Sequence, residues 1–157
     1  MLPVNGVRAV EYLRQSNPNI FLMIVRSNND NVIVYEQPLN QPIRYYWHDC
    51  DTKYQHKLRK QKKQTDVVEF NTMDRMAYGI KVVSQYADRT ILKFNKFDTP
   101  IEIKSTPNGR QAFLIGTERQ IRYIYIQVKF ILGVPSVSKV TAHCYVGNHR
   151  QTFELKN

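Results

Sequence analysis

The chain has 157 residues, of which 42% are hydrophobic and 23% are charged, and its formal net charge is +10. This length suffices for the core of one domain, and the composition argues against disorder along most of the chain. The longest purely apolar run, residues 20–25, is far shorter than the roughly 20 residues of a membrane-spanning helix. We therefore expect no membrane contact by a spanning helix.

Targeting and redox signals point to the cytoplasm. The N-terminus lacks a basic stretch followed by an apolar segment, so we expect no cleaved signal peptide. Two cysteines, Cys50 and Cys144, are too few for a disulfide framework, which favours a reducing compartment.

The first predicted element is a short helix within an N-terminal arm, residues 1–19. Val7, Val10 and Leu13 recur at three-residue steps over residues 6–15, which is the spacing of one helical face. Pro18 disfavours a helical residue before it and ends the helix. Residues 20–157 are then predicted to form a single β domain.

Three strands follow the arm. Residues 20–27 have the length of a strand and begin with the apolar run 20–25. The turn-forming sequence SNNDN leads into a second strand over residues 32–36, so the two form a hairpin. The third strand, PIRYYWHD, has two alternating faces. One face carries Ile43, Tyr45 and Trp47, and the other carries Arg44, Tyr46 and His48.

A second helix is predicted over residues 72–78, because an Asn or Thr cap precedes it, an acid lies in its first turn and Gly79 follows it. Short apolar segments then recur about every ten residues, namely GIKVVSQY, TILKF, PIEIK and QAFLIG. Residues 119–132 and 138–147 form a longer hairpin with alternating faces, and QTFELK closes the domain. This order predicts a mainly β fold, an antiparallel β-sandwich or open barrel with a short internal helix and a helical N-terminal arm.

Four pieces of the sequence together resemble a known family. They are NVIVYE (31–36), YW (46–47), RMAYG (75–79) and IYIQ (124–127). In this order they resemble an uncharacterised family catalogued among domains of unknown function, number 4833, over residues 20–156. The resemblance implies a small, mostly β domain and no established activity. The basic loop after YYW is a departure from the family pattern, and the N-terminal helix lies outside the match.

The segment KYQHKLRKQKKQ, residues 53–64, concentrates positive charge. Its cations are Lys53, Lys57, Arg59, Lys60, Lys62 and Lys63. Without this segment, 17 basic and 13 acidic residues leave only +4, so the charge favours one local contact. The segment could bind acidic side chains or phosphates. The alternative is a solvated loop that binds nothing.

A second candidate surface lies on the longer hairpin. Tyr123, Tyr125, His143 and Tyr145 are predicted to share its outward face. Tyrosine combines a large apolar ring with a polar end and is favoured at protein interfaces, so we predict that this face contacts a partner. The alternative is that the N-terminal helix or another strand covers it.

Metal and catalytic sites have less support. Four potential zinc ligands occur, which are His48, Cys50, His143 and Cys144. They lack the spacing of a zinc site, because adjacent strand residues point to opposite faces. No P-loop, dinucleotide fingerprint, zinc-protease or serine-hydrolase motif occurs, so we expect neither an enzyme nor a cofactor. Glu36 follows an apolar run and is predicted to form a structural ion pair with Arg75.

These features predict a non-enzymatic subunit that docks on an acidic protein surface of a larger assembly through the basic loop and the aromatic strand face. An acidic polymer such as a microtubule is the example that the charge suggests, which would place the protein at the cytoskeleton or in a cilium. The first alternative is a nucleic-acid or ribonucleoprotein-binding subunit. The second is a small-ligand binder or hydrolytic enzyme whose pocket lies near Glu36, Trp47, Arg75 and Tyr78.

Overall fold

A computed structural model describes residues 5–28, 31–38, 40–48, 67–95 and 98–155. These residues form two helices and eleven strands of one curled sheet, which makes an open half-barrel. The helices are α1 (Asn5–Ser16) and α2 (Thr72–Tyr78). The strands are β1 (Ile20–Arg26), β2 (Val32–Glu36), β3 (Arg44–His48), β4 (Val67–Val68), β5 (Ile80–Gln85), β6 (Arg89–Phe94), β7 (Ile101–Thr106), β8 (Gly109–Leu114), β9 (Gln120–Ile131), β10 (Val134–Val146) and β11 (His149–Leu155).

The predicted fold class is confirmed in its open-barrel form. Both helices and the β1–β2 hairpin lie where the sequence pattern predicts them. The sheet differs from a purely antiparallel one at a single pairing among the described strands, because β1 runs parallel to β9. Neither helix in the described ranges has the length and apolar character needed to cross a membrane.

Strand β9 is the branch point of the sheet. One of its edges pairs with β10 from Gln120 to Ile131. Its other edge is shared, because Phe113 of β8 pairs at Gln120 while β1 pairs from Ile124 to Ile126. Two arms therefore leave the same edge of β9. The first arm is β1–β2–β3–β4, and the second is β8–β7–β6–β5.

The inner faces of the two arms enclose the main core. A bulge between Ile20 and Leu22 in β1 allows the neighbouring residues Phe21 and Leu22 to join the same cluster. From the first arm come Ile33, Tyr35 and Trp47, from the second come Leu92, Phe94, Ile101, Ile103, Ala112 and Leu114, and from the branch strands come Ile124, Ile126, Val140, Ala142 and Cys144. Phe70 and Tyr78 add aromatic surface from α2 and the residues before it. The alternation predicted for β3 and β9 is thereby confirmed.

Helix α1 covers part of the outer face. Its buried residues Val10 and Leu13 pack in a second cluster with Met23, Val34 and Tyr123. Burying two such side chains removes apolar area from water and fixes the N-terminal arm to the sheet.

Helix α2 is short and capped at both ends. The Asn71 side chain accepts from the Asp74 backbone N–H at 2.8 Å, and the Asp74 carboxylate accepts from the Asn71 N–H at 3.1 Å, which is a capping box. The helix ends at Gly79 as predicted, but its φ of −63° is ordinary for any residue. Glycine is required for space, because a Cβ there would press on the Arg75 carbonyl oxygen and lie 2.7 Å from Asn95 Nδ2.

Candidate interaction surface

The hairpin of β9 and β10 extends past the rest of the sheet. Its last link to β1 runs through Ser27, whose N–H donates to the Ile126 carbonyl at 2.9 Å and whose Oγ accepts from the Val128 N–H at 2.8 Å. Beyond Val128 the two strands continue for three residue pairs, from Lys129 to Ile131 on β9, or roughly 10 Å at the rise of a β-strand. The two turn residues, Leu132 and Gly133, both have positive φ, at 51° and 79°.

The end of this hairpin is apolar and open to solvent. Leu132 is 100% exposed, and Phe130, Ile131 and Val134 are each more than 60% exposed. We call these four residues the hairpin tip. Two exposed lysines, Lys129 and Lys139, lie behind it on the same two strands. Exposed apolar groups gathered at one projection are typical of an interaction site rather than of a solvated turn.

The residues that flank the predicted basic loop lie at the same end of the sheet. β3 ends at His48, which pairs with Val32 of β2 and with Val67 of β4. Val32 in turn pairs with Val25, next to the last β1–β9 pair. The loop cations lie outside the described residues, as does Cys50. His48 and Val67, which flank the segment that contains the loop, lie at the end of the sheet from which the hairpin projects. We call this end of the sheet the hairpin end.

A cleft of about 210 Å³ lies beside the base of the hairpin. Ala77 and Tyr78 of α2 form one wall, and Val128 and Val137 of the hairpin form the other. The Arg26 guanidinium lies at this cleft, 5.6 Å from the Tyr78 ring centroid and 5.4 Å from that of Trp47. Met73 of α2 is 77% exposed and also lines this cleft, so exposed apolar surface is present on the helix as well as on the hairpin.

The predicted aromatic face is partly covered. Tyr123 lies on the predicted outer face, but it is only 5% exposed because it packs with Val10 and Leu13 of α1, so the expectation that it is open to a partner is wrong. The alternative prediction, that the N-terminal helix covers this face, is confirmed at Tyr123. His143 stacks on Tyr123 with ring centroids 4.4 Å apart, and His143, Tyr125 and Tyr145 are half-buried.

A polar network fixes α1 on that face. Glu11 Oε1 accepts from Arg122 Nε at 2.6 Å and from the Tyr145 hydroxyl at 2.8 Å, while Arg14 donates to the Arg122 carbonyl and to Gln111. Burial alone would raise the pKa of Glu11, but these hydrogen bonds and the charges of Arg122 and Arg14 together lower it. Sequence analysis missed this site, because Glu11 and Arg122 are 111 residues apart.

Glu36 forms an ion pair, but with a different partner from the predicted one. Its Oε1 lies 3.2 Å from Arg44 Nη1, and its Oε2 accepts from Asn17 Nδ2. Glu36 and Arg44 are cross-strand neighbours, whereas Arg75 is exposed on α2, the helix that packs into the inner core. The predicted Glu36–Arg75 pair is therefore wrong. Burial first, and then the negative charge of Glu36, raise the pKa of Tyr46 to about 12.

The predicted pocket around Glu36, Trp47, Arg75 and Tyr78 is not formed. Trp47 packs inside the half-barrel, with its ring 6.1 Å from those of Phe70 and Tyr78. Glu36 shares the opposite face of β2 with Val32 and Val34. Arg75 lines a separate open groove of about 330 Å³ with Ile43, Tyr45 and Phe70.

Cys144 is poorly suited to nucleophilic chemistry. Its side chain is 1% exposed in the inner core, and burial raises the pKa of the thiol to about 11. A thiol must ionise to act as a nucleophile or a metal ligand, and this environment opposes ionisation. Within the described residues, no three of the His, Cys, Asp and Glu side chains gather as a metal site.

Residues 22–153 match the model of a family described as Domain of unknown function (DUF4833). The chain belongs to this family. The match runs from β1 into β11 and excludes α1. No curated protein and no solved structure matches the chain.

The sequence pieces that carry the DUF4833 resemblance meet in the fold. The Tyr35 hydroxyl, from NVIVYE, donates to the carbonyl of Tyr78, from RMAYG, at 2.7 Å. Trp47, from YW, lies edge-on to the Tyr78 ring. Ile124 and Ile126, from IYIQ, pair with Ile24 and Arg26 of β1. In this chain, these family motifs therefore seat α2 in the half-barrel and join the first arm to β9.

Proposed function

We propose that this DUF4833 protein is a non-catalytic docking domain that binds an acidic protein surface of a larger assembly at its hairpin end. The observation that carries the proposal is Leu132, a fully exposed leucine in a left-handed backbone conformation. A leucine gains nothing from this exposure in the isolated chain, and the conformation costs roughly 1–2 kcal/mol relative to one that it prefers. Such outliers concentrate where a chain contacts a ligand or partner.

The surroundings of Leu132 resemble the anatomy of a protein interface. The hairpin tip supplies an apolar centre, and Lys129 and Lys139 supply a cationic rim. The sequence between His48 and Val67, both of which lie at this end, contains the six cations of residues 53–64. A partner that complements this surface combines an apolar recess with surrounding carboxylates, because opposite charges speed association and align the two surfaces.

A protein fits these features better than a nucleic acid or a bilayer. Binding of single-stranded nucleic acid uses stacking platforms of several aromatic rings, whereas the tip offers one, Phe130. The cleft between α2 and the hairpin can accept a protruding side chain of a protein partner, which a fluid bilayer does not supply. An acidic polymer such as a microtubule remains our example, and docking there would place the protein at the cytoskeleton of the cytoplasm or cilium.

The test is co-sedimentation of the full chain with polymerised tubulin, and retention on immobilised polyglutamate, at low ionic strength. Leu132→Asn places in the turn a residue that tolerates positive φ, so it is expected to raise the melting temperature while weakening binding at least fivefold. Neutralising Lys57, Arg59, Lys60, Lys62 and Lys63 together to Gln should abolish binding. Ile115→Asn, at an exposed site in the turn between β8 and β9, is the matched control and should leave binding unchanged.

Several outcomes would overturn the proposal. Unchanged binding by Leu132→Asn would remove the hairpin tip from the interface. If the full chain binds neither polymerised tubulin nor polyglutamate, the partner is not an acidic protein surface. Retention on a bare oligonucleotide with a steep dependence on salt would favour the nucleic-acid alternative. Tighter binding to vesicles of anionic phospholipid than to either protein would indicate a membrane surface instead.

A further inference from the structure

A polar cleft of about 510 Å³ lies at the end of β1 opposite the hairpin. It forms where the residues before β1, the residues after β2 and the start of β8 come together. Its polar lining residues are Asn19, Gln37, Asn40, Gln41 and Arg110. This volume falls in the range of sites for small organic ligands.

Among the described residues that line this cleft, Arg110 carries the only formal charge. It projects from the same face of β8 as the core residues Ala112 and Leu114. Its Nη1 donates to Gln37 Oε1, and its Nη2 donates to Thr90 Oγ1 at 2.8 Å. Its Nε is buried and has no hydrogen-bond acceptor.

In the part of the chain that the structure describes, three other arginines of the sheet are paired with an acid, whereas Arg110 is not. Arg44 pairs with Glu36, Arg89 with Glu102 and Arg122 with Glu11. Within the described residues, Arg110 takes part in no such pair and is held by two neutral oxygens. Placing a guanidinium in a partly buried site has a desolvation cost that neutral acceptors offset less well than a carboxylate does.

The chemistry of the cleft indicates the class of ligand. A guanidinium presents parallel donors that match the two oxygens of a carboxylate. One positive charge balances one negative charge, which favours a monoanionic carboxylate over a phosphate dianion. Side-chain amides at the rim can donate to further polar atoms of a ligand, and Pro18 and Pro38 offer apolar contact. The lining residues that the structure describes include no His, Cys, acid or hydroxyl, so the arrangement fits binding and not turnover.

We propose that this cleft binds a small organic carboxylate, whose oxygens take the place at Arg110 that Gln37 Oε1 occupies in the structure. Gln37 is half-buried and lies just after β2, and a charged acceptor that enters the cleft would compete with its neutral Oε1 for the Arg110 donor. This site is separate from the hairpin end and does not depend on the function proposed there.

The test follows the side-chain Nε–H resonance of Arg110 by ¹H–¹⁵N NMR in the full chain. Acetate and benzoate should shift it saturably, whereas acetamide and benzamide, which keep the shape without the charge, should not. Arg110→Gln should weaken the response of neighbouring backbone resonances at least tenfold. Gln37→Glu supplies an internal carboxylate, so it should raise the melting temperature and suppress the benzoate response while Arg110 is still present.

Each contrary result is decisive. If neither carboxylate shifts the Arg110 resonance, the cleft does not bind this class. Tighter binding of inorganic phosphate than of benzoate would overturn the choice of a monoanionic carboxylate. If Gln37→Glu binds benzoate as well as the parent chain does, the site does not lie at Arg110. This variant decides the question even where Arg110→Gln fails to fold.

Discussion

The ring of Tyr35 on β2 lies 5.6 Å from the ring of Phe94 on β6, edge to face, although the pairing order of the sheet places four strands between β2 and β6. The contact exists because both arms leave the same edge of β9 and curl over one space. Tyr35 also donates to the carbonyl of Tyr78 at the end of α2. The contact between Tyr35 and Phe94 thus connects the two arms, and the hydrogen bond of Tyr35 connects them to α2.

Phe94→Ala is expected to destabilise the domain by about 3–5 kcal/mol, because Phe94 is 3% exposed and its loss leaves a cavity where the two arms meet. Phe130→Ala is the matched control and should change the free energy of unfolding by less than about 0.5 kcal/mol, because Phe130 is 61% exposed. Urea unfolding of both variants measures the difference. Equal effects would mean that the arms do not share a packed core.

Gly79→Ala is expected to destabilise the domain by about 1–3 kcal/mol, as overpacking does, because the added methyl group would press on the Arg75 carbonyl and the Asn95 side chain. The sign is the test. With φ of −63°, an alanine free of contacts would instead stabilise the fold by roughly 0.4–1 kcal/mol through the unfolded chain. A rise in the melting temperature would therefore contradict the close approach of α2 to Asn95.

Arg44→Gln is expected to lower the free energy of unfolding by roughly 1–2 kcal/mol, because it leaves the buried Glu36 carboxylate without its cation. The figure lies below that for a fully buried pair, because the Arg44 side chain is 52% exposed and water screens it. Arg75→Gln is the matched control and should have almost no effect. If Arg75→Gln lowered the free energy of unfolding more than Arg44→Gln does, the predicted Glu36–Arg75 pair would be supported instead.

The stability of the domain should fall between pH 7 and pH 5 through His143. Burial, and then the positive charge of Arg122, lower the pKa of His143 below its ordinary value of 6.5. The unfolded chain therefore takes up a proton at a higher pH than the folded one, so stability is full above about pH 6.5 and falls as the pH drops through this range. The lowered pKa of Glu11 acts in a separate window, below about pH 4.5.

His143→Phe keeps a ring on Tyr123 and removes the titrating group, so it should flatten this part of the stability curve. Urea unfolding at pH 7, 6 and 5 gives the slope for each variant. His149→Gln, at an exposed histidine on β11, is the control and should leave the slope as it is in the parent chain. If both variants keep the parent slope, His143 is not its source.

Local patterns predicted most of the elements and their faces. The alternation in β3 correctly separated Tyr45 and Trp47 from Tyr46, because strand side chains alternate whatever the strand pairs with. The cap residues of α2 gave its limits to the residue, because Asn71 and Asp74 act within one turn. Strand alternation and helix capping depend on neighbouring residues, so they can be recognised without knowledge of the tertiary fold.

The errors lie where the answer depends on distant parts of the chain. Nothing in residues 20–26 indicates that their neighbour is β9, because an apolar run fits either edge of any buried strand. The partner of Glu36 depends on the register of β2 and β3, which places Arg44 directly opposite. To predict that α1 covers Tyr123, one would have to know that Glu11 contacts Arg122. The charges of these two residues do not reveal the contact, because they are far apart in the sequence.

The shared edge of β9 also bears on how the chain reaches this structure. Ile24 pairs with Ile124, so β1 gains its second neighbour only after about one hundred further residues have been synthesised. Until then a largely apolar strand leaves the ribosome with one edge unpaired, and such a strand is prone to aggregate and to bind chaperones. Closure of this long loop should therefore be a late and slow event in folding.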